Sequence, residues 1–265
     1  MAEHNNLYQN VVYYDLIFER DVSREVDFLV AVCRRYAGRE PQSSLEVACG
    51  PGYHTRALAQ RGLRATGLDL NGAMIALAHH KDAIAGVEAC WLEADMRQIH
   101  LSEPVDVAFC MFDGLDALLT NADLIQHFRA VGASLTKGGI YLVDLTHPRE
   151  CSFWHYTPFY YAGARDGVSA EIQWATNNPR YDLVSSVAHV ELEMRVNDHG
   201  QTQVVHDSAK ERLLLPQEIS LLAELSGVLR VVGWHGDFDL AQPLDDSPAS
   251  RRMIVILQKQ EAINK

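Results

Sequence analysis

The sequence predicts a doubly wound α/β sheet with an antiparallel meander inserted late in the chain, and three observations carry that expectation. Short apolar runs at 45–49, 64–70, 87–93, 105–111 and 140–145 alternate with segments of helical composition, the pattern of a parallel sheet covered on both faces. The first run breaks into Gly50-Pro51-Gly52 directly ahead of a helix. Strand, turn and helix in that order set backbone N–H groups around a polar ligand. From 148 to 214 the apolar period then shortens to strict alternation, which marks half-buried strands.

Taken in order, residues 7–18 read as one helix and 24–36 as a second, with Ser23 as its cap and Val26, Leu29, Val30 and Cys33 on one face. Gly38 stops it and Pro41 follows. Helix 53–60 follows the glycine turn. Asn71 caps a helix over 72–80, whose His79-His80 end suits a solvated C-terminal turn. Pro104 precedes the fourth strand, and helix 122–135 ends at Lys137-Gly138-Gly139 before the fifth, which closes in Thr146-His147-Pro148.

In the inserted segment, Val168, Ala170, Ile172 and Trp174 alternate with polar residues, as do Ala188, Val190, Leu192, Met194 and Val196; 203–214 continues less cleanly. Asn177-Asn178-Pro179 and Asn197-Asp198-His199-Gly200 are the turns between them. The aromatic stretches Phe153-Trp154-His155-Tyr156 and Phe159-Tyr160-Tyr161 suit the lining of an organic pocket, and equally plain packing onto the core. Pro216 opens a last helix at its first position, and strands at 229–234 and 252–258 complete the chain.

The chain has 265 residues and a net charge of −12 without a basic run, so nucleic acid is a poor partner and neutral or cationic small molecules are comfortable ones. There is no apolar run of membrane length and no basic-then-apolar leader, so no membrane role is expected and the cytoplasm is the expected location. The cysteines at 33, 49, 90, 110 and 151 form no C-x-x-C pair, and neither disulfide nor metal is expected.

Gly50 and Gly52 let the backbone approach a ligand with no Cβ in the way. The Glu46 carboxylate is placed to reach an ammonium or hydroxyl from the strand end. Asp69, 19 residues after Gly50 at the tip of the second strand, is placed to bind ribose hydroxyls. Thr55 stands where a dinucleotide fingerprint has its third glycine. That argues against a nicotinamide-dependent reductase and leaves nucleoside ligands open.

Glu46-x-Ala48-x-Gly50-x-Gly52, then Asp69, then Ala94-Asp95-Met96-Arg97 resembles the nucleotide-binding half of class I S-adenosylmethionine (SAM)-dependent methyltransferases, over residues 40–146. Tyr14-Asp15-Leu16, Val47-Ala48-Cys49-Gly50 with His54, Asp95-Met96-Arg97 and Met111-Phe112 resemble, more narrowly, small-molecule N-methyltransferases that act on amino sugars or glycine. The resemblance implies a seven-stranded Rossmann-like sheet, mostly parallel with the last strand antiparallel. It implies a helical lid over 1–40, a SAM-binding core over 41–147 and 215–265, and an antiparallel cap over 148–214 on the substrate side. SAM is the implied cofactor and S-adenosylhomocysteine (SAH) its product. The implied cofactor contacts are Tyr14, Glu46, Ala48, Cys49, Gly50, Gly52, His54, Asp69, Leu70, Met74, Asp95, Met96, Arg97 and Met111. Asp95 is implied to meet the adenine amino group, with the Met96 N–H at the ring and the Met96 side chain on its face. Tyr14, with Tyr13 next, is implied to lie near the sulfonium; both rings equally suit a helical core.

The implied substrate side is Phe112, Asp113, His147, Trp154 and Tyr160. Transfer from a sulfonium needs alignment above all. A base is needed for an amine only to remove the proton of an ammonium. His147 and Tyr14 are the catalytic candidates, Asp113 is an alternative base, and His155, His189 and His235 are less securely placed. Methyl transfer to nitrogen of a small molecule is the leading expectation. O-methylation of a phenol or acid, and a SAM-binding sensor or partner subunit without turnover, are the alternatives. The open edges of the meander suit a homodimer.

Overall fold

The computed structural model describes residues 7–260, the side chains of residues 152 and 153 excepted. In chain order the helices are α1 (Val11–Phe18), α2 (Ser23–Val32), α3 (Tyr53–Gln60), α4 (Gly72–Ala85), α5 (Asn121–Ser134) and α6 (Pro216–Ser226). The strands are β1 (Ser43–Val47), β2 (Arg64–Asp69), β3 (Cys90–Glu93), β4 (Val105–Cys110), β5 (Leu135–Thr146), β6 (Phe159–Arg165), β7 (Val168–Trp174), β8 (Val187–Asp198), β9 (Gln201–Arg212), β10 (Leu229–His235) and β11 (Arg252–Lys259). The chain divides into two compact units: Asp21–Pro148 with Leu214 onward, and the residues up to Arg20 with Arg149–Leu213. The segment expected as a single lid over 1–40 is therefore shared between the units at Asp21.

The larger unit is built on a seven-stranded sheet in the order β10-β11-β5-β4-β1-β2-β3. β1 pairs in parallel with both β2 and β4, and β11 runs antiparallel to β5 and β10 on either side of it. The strand order thus reverses between β1 and β4, and in such sheets a crevice opens beyond the carboxyl ends of those strands. The apolar runs that announced the strands fill both faces. Leu45, Val47, Ala108, Tyr141, Val143 and Val255 pack with α5 and α6 on one side, and Val107, Phe109, Ile140, Leu142, Ile254 and Ile256 pack with α2 and α3 on the other. Residues 21–40 belong here because Val26, Phe28, Leu29, Val32 and Cys33 are buried in that second layer.

The smaller unit is a four-stranded antiparallel sheet in the order β6-β7-β8-β9. Its inward residues Ala170, Ile172, Trp174, Ala188, Val190, Leu192, Met194 and Val196 share a core with Leu7 and Ile17. α1 packs on β6 and β7. Among the described residues no helix is long and apolar enough to cross a membrane.

Four local expectations are corrected. Ser23 does not cap α2: the capping position is Val22 without a side-chain bond, and Asp21 accepts from the Ser23 N–H (2.9 Å) and hydroxyl (3.0 Å), a carboxylate two residues back winning the local bond. α4 runs past His79-His80 to Ala85, because nothing breaks it before Gly86 in the left-handed region; β3 accordingly starts at Cys90 and not at residue 87. β5 begins at Leu135, immediately after α5, and carries Gly138 and Gly139 within it. Finally, Phe159–Arg165 is a strand that lacks the alternation by which β7 and β8 were legible.

Candidate active site

The glycine turn is held from two sides. Beneath it, Glu46 is 3% exposed. Its carboxylate accepts from the Thr55 N–H (2.9 Å) and Thr55 hydroxyl (2.6 Å) and lies 3.0 Å from His54 Nδ1. The residue in the third glycine's place thus ties α3 to β1. Behind it, Arg56 donates to Asp82 (2.8 Å) and to the carbonyls of Pro51 (3.0 Å) and Ala78 (3.1 Å). Asp82 also accepts from the Trp91 indole (2.8 Å). Arg56 and Asp82 are both buried. The two glycines have different causes. At Gly50, φ is +52° and a Cβ would meet nothing within 4 Å; at Gly52, φ is +75° and a Cβ would overlap the Trp91 ring. Gly50 keeps open space in front of the turn, and Gly52 lets the turn close on the indole.

Asp69 ends β2 beside this turn, accepting from Gly50 N–H (2.8 Å) and Asn71 N–H (2.9 Å). Burial raises its carboxyl above the usual carboxylate range, against the backbone N–H bonds that pull it down. Asn71 caps α4 as expected, accepting from Ala73 N–H. Leu70 next to Asp69 is 59% exposed, an apolar side chain left in solvent at a strand end, while Met74 is buried one turn into α4. Cys49 is buried, and burial lifts its thiol well above the ordinary range, so it is a small apolar neighbour and not a nucleophile.

At the end of β3, Arg97 forks the Asp95 carboxylate (Nη2 at 2.6 Å, Nε at 3.0 and 3.1 Å) and reaches Asp123 (2.6 Å). The side-chain bonds from Arg97 hold Asp95 below the usual carboxylate range. The Met96 carbonyl lies 2.9 Å from His127 Nδ1, and His127 Nε2 lies 2.7 Å from the Tyr141 hydroxyl. Burial pushes the His127 pKa down to about 4. A histidine neutral in the native state and titrating near 6.5 when unfolded takes up its proton only on unfolding across that window. Stability therefore falls by about 3 kcal/mol as pH drops from 6.5 to 4, and is unaffected by this group above 6.5. Denaturation of wild type and His127→Asn at pH 7 and pH 4.5 checks this: the variant loses less stability between the two.

Beyond β4 the chain turns through Phe112 (φ +54°) and Asp113 (φ +65°), two side-chain-bearing residues in the left-handed region. Such strain persists only where neighbours over-determine it, and they do. Asp144, 3% exposed, accepts from Phe112 N–H (3.0 Å) and Arg252 (2.7 Å), and its carbonyl accepts from Asp113 N–H (3.1 Å). The Asp113 carboxylate accepts from Thr146 and from Arg252 (3.0 Å). An aspartate so engaged suits an ion pair that shapes the turn better than a proton acceptor. Phe112 is 37% exposed and Met111 buried. His147 is buried with Nε2 3.0 Å from the Asp245 carbonyl. A carbonyl only accepts, so Nε2 donates in this contact.

The larger unit thus brings Glu46, Ala48, Cys49, Gly50, Gly52, His54, Asp69, Leu70, Met74, Asp95, Met96, Arg97, Met111, Phe112, Asp113 and His147 onto or just behind the carboxyl ends of β1 to β5. Tyr14, Trp154 and Tyr160 belong to the smaller unit. The Tyr14 ring packs on Phe18 (centroids 4.5 Å apart) and Tyr8 (5.6 Å), Trp154 is 45% exposed, and the exposed Tyr160 hydroxyl donates to Glu171 (2.7 Å). The Phe153 side chain lies outside the described set. Sequence reasoning missed Asp82, His127, Asp144 and Arg252. Three of them carried a signal: Asp82 and His127 interrupt the apolar faces of α4 and α5, and Asp144 interrupts the apolar run of β5.

Residues 45–139 match the methyltransferase domain family. Among curated relatives, dTDP-3-amino-3,6-dideoxy-alpha-D-glucopyranose N,N-dimethyltransferase of Streptomyces fradiae is 31% identical over 134 residues, 49% of this chain and 51% of that one. The cypemycin N-terminal methyltransferase of a Streptomyces species is 25% identical over 237 residues, 88% of this chain and 89% of that one. That relative apart, the chain spans about half the length of the curated relatives it matches. Among solved structures, a S-adenosylmethionine-dependent methyltransferase from Clostridium acetobutylicum superposes with a TM-score of 0.77 at 18% identity, covering 96% of this chain and 99% of that one. Over residues 45–139 the chain is thus similar to the methyltransferase domain family, and its fold is that of the solved methyltransferase.

Proposed function

We propose that this protein transfers the methyl group of SAM to a nitrogen of a small molecule. The observation that carries the reading is the meeting, at the carboxyl ends of three adjacent strands, of the open Gly50 face, the Asp69 carboxylate and the Asp95–Met96 turn. The residues fit the cofactor: open space at Gly50 admits the approach of its methionine end, Asp69 keeps lone-pair capacity for ribose hydroxyls, and exposed Leu70 offers an apolar surface to adenine. SAM supplies a methyl on a sulfonium, already a good leaving group.

The chain then has to orient the acceptor, exclude water and leave the acceptor nitrogen unprotonated. Phe112 provides an aromatic wall, and the Asp144–Arg252–Asp113 cluster holds it. His147 is proposed to take the proton of an ammonium. The acceptor contacts expected at Tyr14, Trp154 and Tyr160 stand on the resemblance, and alanine variants test them in the same assay. Nitrogen is favoured because two of the relatives above are, by name, an N,N-dimethyltransferase and an N-terminal methyltransferase.

Two experiments test the reading. Asp69→Ala weakens SAH binding by tenfold or more, the loss of hydrogen bonds to a charged acceptor being about 1.5–3 kcal/mol; wild-type affinity in that variant removes Asp69 from the site. Incubation with methyl-labelled SAM and a panel of amines, phenols and carboxylic acids, read by mass spectrometry and NMR, identifies the accepting atom. N-methyl products support the proposal, and O-methyl products alone contradict it. SAH binding without turnover points to a sensor or partner subunit.

A further inference from the structure

We propose that His127 is a positioning residue for the purine of the cofactor, acting through the peptide between Met96 and Arg97; the proposal rests on the cofactor reading above. The turn after β3 is closed on its outer side by Gln98 N–H to the Asp95 carbonyl (2.8 Å) and by Arg97 N–H to Asp95 Oδ1 (2.8 Å). The Met96 carbonyl points inward to His127 Nδ1 (2.9 Å). A carbonyl only accepts, so Nδ1 carries the proton and Nε2 accepts from the Tyr141 hydroxyl (2.7 Å). Both ring nitrogens are occupied, and His127 and Tyr141 are each 0% exposed, so the ring has no alternative orientation.

The consequence follows from peptide geometry. The carbonyl of Met96 and the N–H of Arg97 belong to one planar trans peptide and point in opposite directions. Fixing the carbonyl on His127 therefore aims the Arg97 N–H at the Asp95 carboxylate. The same face of α5 also holds the Arg97 side chain, through Asp123 (2.6 Å), while Gln126 approaches the Arg97 carbonyl (3.4 Å). Residues 123, 126 and 127 are spaced to share one helix face. Arg97 Nε is shared between the two Asp95 oxygens (3.0 and 3.1 Å). Three donors thus make four contacts, two on each oxygen, so a ligand N–H enters by taking one of the two sites that Arg97 Nε shares. By fixing this peptide His127 sets the direction of the Asp95 carboxylate, and so whether an exocyclic amino group is told from a carbonyl oxygen.

The test compares calorimetric affinities for SAH and for S-inosylhomocysteine, which carries oxygen in place of the purine amino group, in wild type, His127→Leu and His127→Asn. Wild type prefers SAH by about tenfold or more, as expected for a hydrogen bond to a charged acceptor. His127→Leu loses most of that preference while still binding both nucleosides weakly. His127→Asn, which keeps a donor near the Nδ1 position, retains most of it. A folded His127→Leu with the wild-type preference overturns the proposal alone. A folded wild type that binds neither nucleoside overturns the cofactor reading and this proposal with it. Should His127→Leu not fold, nitrogen NMR on the wild type decides: SAH shifts the His127 Nδ1 resonance more than S-inosylhomocysteine does, and equal shifts overturn the role.

Discussion

Gly52→Ala lowers the melting temperature by about 5 °C, whereas Gly50→Ala costs the fold less and removes SAH binding. Both glycines have positive φ, so each alanine carries the left-handed penalty of about 1–2 kcal/mol. They differ in what the new methyl meets. At Gly52 it overlaps the Trp91 ring, and the indole cannot step aside because Nε1 is bonded to buried Asp82 (2.8 Å). Overpacking of this kind adds about 1–3 kcal/mol. A total near 3 kcal/mol corresponds to about 5 °C for a chain of this size. At Gly50 the methyl enters open space, which the cofactor reading fills with ligand. Thermal melts and SAH titrations on the two variants separate the effects, and equal melting temperatures would contradict the assignment of Gly52 to the indole.

Asp82→Ala destabilises by about 3–5 kcal/mol, the cost of leaving a buried cation without its partner. Asp82 is 6% exposed and Arg56 8%, so water does little to compensate. The aspartate takes the Arg56 guanidinium on one oxygen (2.8 Å) and, on the other, the Trp91 indole (2.8 Å) and Ala89 N–H (3.2 Å). Its loss reaches the site because Arg56 also holds the Pro51 carbonyl within the glycine turn (3.0 Å). SAH affinity falls along with stability. Replacing both partners, as in Arg56→Met with Asp82→Leu, costs less than Asp82→Ala, since no charge is then left buried. Denaturant unfolding of the single and double variants checks this, and a double variant no better than the single would argue against a charge-driven cost.

The fold was legible where local chemistry and burial agree. Five apolar runs separated by helical segments are what a parallel sheet requires, and Pro216, Asn71 and the meander's alternation each mark an element the structure contains. Legibility failed where a distant residue decides. The role of Gly52 depends on Trp91, brought beside it through β2 and β3, so proximity to a ligand was the only reason the sequence offered. Asp113 looked like a base because Arg252, 139 residues away, is invisible to local reading. β6 was hidden because its residues are mostly exposed on both faces and so lack a period. Asp69 and the Asp95–Arg97 turn were legible as candidates because they lie one and two helix–strand steps beyond Gly50, distances the chain itself measures out.

The most direct measurement is calorimetric titration of the wild-type protein with SAH and then with SAM. The account predicts micromolar binding of both at one site per chain. No binding of either, to protein shown by circular dichroism to be folded, would contradict it and detach the open face at Gly50, Asp69 and the Asp95–Met96 turn from any nucleoside.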